Sequence, residues 1–177
     1  MQLHVTIDLP TDVRGAAHLL ADPAYVHAKV RASGAVDEQV DVSGTAAGAF
    51  TVTTRRAVPT SQIPAHLHAL VGARIDVRQV EAWEAAAADG SRSGTVVVEI
   101  AGAPVRVTGR TSLVATGPDA SRVTYEGEVR AAVPLFASAV EEAAGAAVRA
   151  ALREEQSVAA RWLAGADGTP TVGPAAP

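Results

Sequence analysis

The order of elements constrains this chain most. Residues 2–9 alternate polar and apolar side chains, and two short helical patterns follow. Period-two alternation then returns through six strands, and one helical pattern of about thirty residues starts after Pro134. A lone strand, a helix pair, a meander and one long amphipathic helix can bury their apolar faces together in few ways. The arrangement expected is α+β: a curved seven-stranded antiparallel sheet wrapped around the C-terminal helix, with two short helices after strand 1. Such a shape often encloses an apolar cavity.

Leu3, Val5, Ile7 and Leu9 share one face of the first strand, which Pro10 ends. Thr11 or Asp12 caps a helix carrying Val13, Ala16, Ala17 and Leu20. Asp22-Pro23 restarts it, with Pro23 at the first position, where its missing N–H costs little. Tyr25, Val26, Lys29 and Val30 continue it to Ser33-Gly34. Val40 and Val42 then precede a turn through Gly44 and Gly48, and Phe50, Val52, Thr54 and Arg56 form one face of the next strand. Within Pro59 to Gly72, Ile63, Leu67, Leu70 and Val71 have helical spacing. That segment is expected to cover one end of the sheet.

The last four strands are joined at Asp89-Gly90, Gly102-Ala103 and Gly117-Pro118-Asp119. A two-residue loop at Gly102-Ala103 sets Glu99 opposite Arg106, with Val98 and Ile100 opposite Val107 and Val105. The third connection sets Arg110 near Glu128 and Leu113 near Tyr125. The first sets Trp83 opposite Val96 and Glu81 opposite Val98. The inner face then reads Ile75, Val77, Gln79, Glu81 and Trp83; Val96, Val98 and Ile100; Val105, Val107, Thr111 and Leu113; Val123, Tyr125 and Val129. A longer first loop through Ser91–Gly94 flips that parity and sends Val80 and Ala82 inward instead of Glu81.

The final helix, to about Leu163, has its best apolar stripe at Phe136, Val140, Ala143, Ala144, Ala147, Ala151, Val158 and Trp162. Glu141, Glu142, Arg149, Arg153, Glu154 and Glu155 fall mostly on the other side. Bulky ends and a small-residue centre leave two options. The sheet closes tightly onto the helix, or a cavity remains.

Composition narrows the function classes. At 177 residues and 48% hydrophobic content the chain suits one domain, residues 1–164, with a disordered tail over 165–177. A net charge of −4 with no Lys/Arg run argues against nucleic acid as a partner. The absence of cysteine removes disulfides, thiolate metal sites and a Cys nucleophile. No stretch reaches the roughly 20 apolar residues of a membrane span. With no signal-peptide pattern at the N-terminus, a cytoplasmic location is expected. Lys29 is the only lysine.

The strand-one pattern, the Ile63-Pro64 segment leading into Val80-Glu81-Ala82-Trp83-Glu84, and the Val129–Pro134 strand end feeding a long helix resemble the actinobacterial domain of unknown function 2505. That family lies in the START-like, or SRPBCC, superfamily, whose helix-grip fold also occurs in birch-pollen-allergen-like proteins and polyketide cyclases. The resemblance implies this fold over roughly residues 1–164 and a hydrophobic cavity. It supplies no catalytic residues.

Candidate chemistry is sparse. His66-x-His68 is the only close histidine pair, and on a helix residues two apart diverge, so no metal or other cofactor is expected. No Ser sits on a nucleophile turn, and no catalytic residue is assigned. Glu81 is the sharpest functional candidate: a carboxylate facing an apolar cavity could serve as acid, base or polar anchor. Arg56 and Glu38 lie on neighbouring strands and could pair at the cavity mouth, or merely protect an edge strand. Trp83 and Tyr125 could touch a ligand or fill the core. The candidate cavity-lining set is Phe50, Val52, Gln79, Glu81, Trp83, Val98, Leu113, Tyr125, Phe136, Val140, Ala147 and Ala151. Binding of a small hydrophobic or amphipathic molecule, such as a lipid or polyketide, leads. A cyclase- or hydrolase-type enzyme, a protein-interaction module and a plain structural domain compete with it.

Overall fold

The structure, a computed structural model, describes residues 1–59 and 74–166. The expected covering segment, with His66 and His68, falls almost wholly outside these residues, as does the tail from residue 167. The strands are β1 (Gln2–Leu9), β2 (Asp37–Gly44), β3 (Phe50–Pro59), β4 (Arg74–Trp83), β5 (Arg92–Ala101), β6 (Val105–Gly117) and β7 (Ala120–Ala131). The helices are α1 (Val13–Leu20) and α2 (Pro23–Ala32), between β1 and β2, and a long α3 (Ala137–Leu163). All pairings are antiparallel in one sheet ordered β1-β7-β6-β5-β4-β3-β2. The first strand thus pairs with the last, and α1 and α2 carry the chain across to the opposite edge. This is the helix-grip arrangement.

Local chemistry sets the element ends. Asp12 caps α1 by accepting from Gly15 N at 2.7 Å, and Asp22 caps α2 by accepting from Ala24 N at 2.9 Å, ahead of Pro23. Ser33 ends α2, and Gly34 follows at φ 84°, where a side chain would be strained. At the far end of the sheet the buried Arg92 guanidinium donates to the Gly48 carbonyl at 2.7 Å, to the Glu84 carbonyl at 2.9 Å and to the Ala46 carbonyl. It pins the β2–β3 turn to β4 and lies 5.7 Å from the Phe50 ring.

The strand faces follow the expected parity, while two registers differ. Glu99 faces Arg106 and Val98 faces Val107, as the two-residue turn requires. Glu81 lies opposite Val96, not Val98, because the first connection reverses through Ala87–Gly90, where Gly90 N donates to the Ala87 carbonyl at 2.9 Å. Leu113 lies opposite Val123, not Tyr125, and Arg110 opposite Glu126, not Glu128, because the ladder shifts between Ala115 and Gly117. Both slips are of two residues. An even slip keeps every side chain on its face, so Glu81 and Trp83, each 2% exposed, point inward and Val80 does not.

One core holds Ile7, Leu9, Tyr25, Val26, Phe50, Val52, Trp83, Leu113, Val123, Leu152 and Val158. A smaller cluster, Val105, Val107 and Val129, lies under the N-terminal half of α3.

Candidate ligand site between the sheet and the long helix

The two halves of α3 differ. Its buried residues are Gly145, Leu152, Glu155, Val158 and Ala159, so the C-terminal half is the anchored one. Trp162 meets the Tyr25 ring edge-on at 5.9 Å between centroids. The helix packs chiefly on α2, β1 and β7, and hardly on β3, β4 and β5. Toward those strands its N-terminal half and centre present small apolar residues, Val140, Ala143, Ala144, Ala147, Val148 and Ala151 among them. Alanine cannot fill the gap.

A channel results. Its outer part, about 470 Å³, is lined by apolar side chains including Ile75, Ile100, Val105, Val140 and Ala147. A middle part of about 120 Å³ runs past Val98, Val107, Ala144 and Val148. The inner end, about 70 Å³, is bounded by Lys29, Thr54, Arg56, Gln79, Tyr125 and Glu155. Ser33 and Ala151 line all three parts, which therefore adjoin one another along the helix.

The inner end is a buried ionic network. Lys29 Nζ donates to Glu155 Oε1 at 2.8 Å and lies 3.6 Å from Glu81 Oε1. Gln79 Nε2 donates to the same Glu81 oxygen at 2.7 Å, and Tyr125 OH donates to Glu81 Oε2 at 3.2 Å. Arg56 Nη1 donates to Gln79 Oε1 at 3.2 Å. Glu81 therefore does not stand alone in apolar surroundings, as its strand position suggested. It has a cation and two neutral donors.

Charge and burial act together on the titrations. Desolvation raises the Glu155 carboxyl above its ordinary range, against the pull of Lys29, with Glu81 adding to the rise. Burial would pull the Lys29 ammonium down, yet Glu155 and Glu81 outweigh it and hold it above its ordinary value. Burial, then the charges of Glu155 and Glu81, push the Tyr125 phenol well up, so it stays a proton donor. Tyr25 is raised for the same reasons, and its hydroxyl is buried near Glu155 without a hydrogen bond of normal geometry.

The candidate residues fall into four groups. Gln79, Val98, Tyr125, Val140, Ala147 and Ala151 line the channel. Phe50, Val52, Trp83 and Leu113 do not, because they are packed into the core at the end where α1 and α2 close over the sheet. Their inward parity was right, but this part of the interior is filled. Phe136 does not line this channel: it lies before the first helical turn, 52% exposed, beside Leu135 at φ 66°. Glu81 stands behind Gln79 and Tyr125. Glu38 and Arg56 are cross-strand neighbours that do not pair, since the Glu38 carboxylate instead takes Arg31 and, at 3.3 Å, His27.

Lys29 and Glu155 were missed as site residues. Each carried a signal: Lys29 falls in the Tyr25, Val26, Val30 stripe of α2, and Glu155 lies three residues from both Leu152 and Val158. A single charge of opposite sign interrupts the apolar stripe of each of two helices, and the helices pack together.

Solved structures share this architecture. The chain superposes on an aromatase/cyclase from Streptomyces sp. R1128 with a TM-score of 0.57 and 14% identity, covering 96% of this chain and 99% of that one. For a START superfamily protein from Mycobacterium smegmatis the TM-score is 0.54 at 13% identity, covering 92% and 98%. For human STARD10 it is 0.59 at 11%, covering 92% of this chain and 64% of that one. At such identities the likeness is one of fold. A comparison with curated proteins finds no match. With a START-like helix-grip fold in place, and residues 4–163 matching the sequence pattern described as "Protein of unknown function (DUF2505)", the chain belongs to that family.

Proposed function

We propose that the protein binds a small hydrophobic or amphipathic molecule, lipid- or polyketide-like, in the channel between the sheet and α3. The observation that carries this is the shape and chemistry of the space: an apolar outer part of about 470 Å³ that narrows onto a buried polar end. Ligand pockets are commonly apolar clefts of about 300–1,000 Å³ with a few placed polar groups. The neighbours support the reading by fold alone, one being an aromatase/cyclase by title. Mass spectrometry of small molecules extracted from natively purified protein tests it. A bound amphiphile or polycycle in stoichiometric amount is expected. Protein that carries none, and takes up none from a panel of fatty acids and aromatic polyketides, would refute it.

One observation favours a second reading, an enzyme of cyclase or hydrolase type. Tyr125 and Glu155, both with raised pKa, border the inner end and could exchange protons with a bound molecule. Turnover of a bound polyketide that Tyr125→Phe abolishes without loss of binding would establish it.

A further inference from the structure

The inner end of the channel has more hydrogen-bond donors than acceptors to receive them. The Arg56 guanidinium carries five N–H donors. Among the described residues it makes one hydrogen bond, to the neutral Gln79 Oε1, and no ion pair. Two residues away on the same face of β3, the Thr54 hydroxyl is buried with no partner, its residue 3% exposed. Both residues line the inner cavity. The carboxylates nearby serve other donors: Glu81 accepts from Gln79 and Tyr125 and faces Lys29, and Glu155 accepts from Lys29 through Oε1, so Arg56 feels both as charges without a hydrogen bond to either. What this end lacks is an acceptor, not a donor.

We propose that the inner end is a subsite for the carboxylate of an amphipathic ligand, held by Arg56 and the Thr54 hydroxyl, with the apolar body extending past Val98 and Val107 to the wide part of the channel. This rests on the channel being a ligand site. Arg offers a carboxylate two parallel N–H bonds, a geometry a hydroxyl or an amine cannot use. A cationic headgroup is less well served: a guanidinium and an ammonium border the space, and its carboxylates, Glu155 and Glu126, already accept from Lys29 and face His4 respectively. The bound carboxylate adds one negative charge to a network of Lys29 and Tyr25 on α2, Arg56 on β3, Glu81 on β4, Tyr125 on β7 and Glu155 on α3. Glu155, already held above its ordinary range by burial, is the group placed to take up the balancing proton.

Calorimetric titration with decanoate, decanol and decylamine, three heads on one tail, tests this in the wild type, Arg56→Gln and Arg56→Lys. Wild type is expected to bind decanoate at least about tenfold more tightly than decanol, and decylamine most weakly. Arg56→Gln should bring decanoate to parity with decanol while decanol affinity stays within about twofold, and Arg56→Lys should keep part of the preference. Decanoate no tighter than decanol in the wild type, or an equal loss for all three ligands in Arg56→Gln, would overturn the headgroup assignment and leave the channel standing. If wild type binds none of the three, the assignment falls, and the channel reading falls with it when aromatic polyketides are refused as well. Should Arg56→Gln not fold, the wild-type ratio and Arg56→Lys decide.

Discussion

At the scale of single residues, the Lys29–Glu155–Glu81 network is the costliest feature of the interior. Buried charges are tolerated when paired and hydrogen-bonded, and removing one partner of such a pair typically costs about 3–5 kcal/mol. Lys29→Met leaves two carboxylates, 8% and 2% exposed, without their nearest cation. A loss in that range is expected in urea unfolding at neutral pH, and it should shrink in acid as the stranded Glu155 carboxyl, already raised by burial, protonates. The sign for the wild type follows from Glu155. Its native carboxyl holds a proton more tightly than in the unfolded chain, so unfolding free energy falls as pH rises through the window above the ordinary value of 4.5. Glu155→Gln should lack that decline. Identical pH profiles for the two proteins would show that Glu155 is not the buried acid described. None of this was legible from Glu81 alone. Strand parity sends its side chain inward beside Gln79 and Tyr125, but its cation, Lys29, comes from α2 and the second carboxylate that shares this cation, Glu155, from α3, and only the packing of those helices makes the network.

At the scale of elements, α3 is an anchor at one end and a roof at the other. Leu152, 7% exposed, sits in the core, and Leu152→Ala is expected to cost about 2–5 kcal/mol. Ala147 borders the outer and middle channel without being buried, so an added ring has space to enter. Ala147→Phe should change the unfolding free energy by no more than about 0.5 kcal/mol while weakening decanol binding several-fold. A large destabilisation by Ala147→Phe would mean that the helix closes tightly on the sheet. The alanine-rich centre of α3 was readable as spare volume from the sequence. The stripe itself differs from the expected one: Phe136, expected at its bulky end, precedes the helix and is exposed, while Glu155, expected on the other side, is buried. Hydrophobic periodicity ranks residues by their chemistry, whereas the position of a helix over a curved sheet is set by what it packs against. Here that is α2, β1 and β7.

At the scale of the whole molecule, the sheet's meander was legible because turn chemistry fixes parity more firmly than register. Gly102-Ala103 gave its register outright. The other two connections slipped by two residues, at the Ala87–Gly90 reversal and at the irregularity near Ala115, and left every face unchanged. What parity cannot say is how far the two sides of the interior approach each other. Phe50, Val52, Trp83 and Leu113 share an inward direction with Val98 and Tyr125, yet the former are packed by α1 and α2 and the latter border open volume. On that division, one end of the interior solid and the other the proposed site, the ligand-binding reading stands. Methyl-resolved NMR of the whole chain, titrated with decanoate, tests it most directly. Saturable shifts are expected at Val98, Ile100, Val105, Val107 and Val148, with little change at Ile7, Leu113 and Val123. Shifts confined to exposed methyls such as Leu135, or spread equally over both groups, would contradict it.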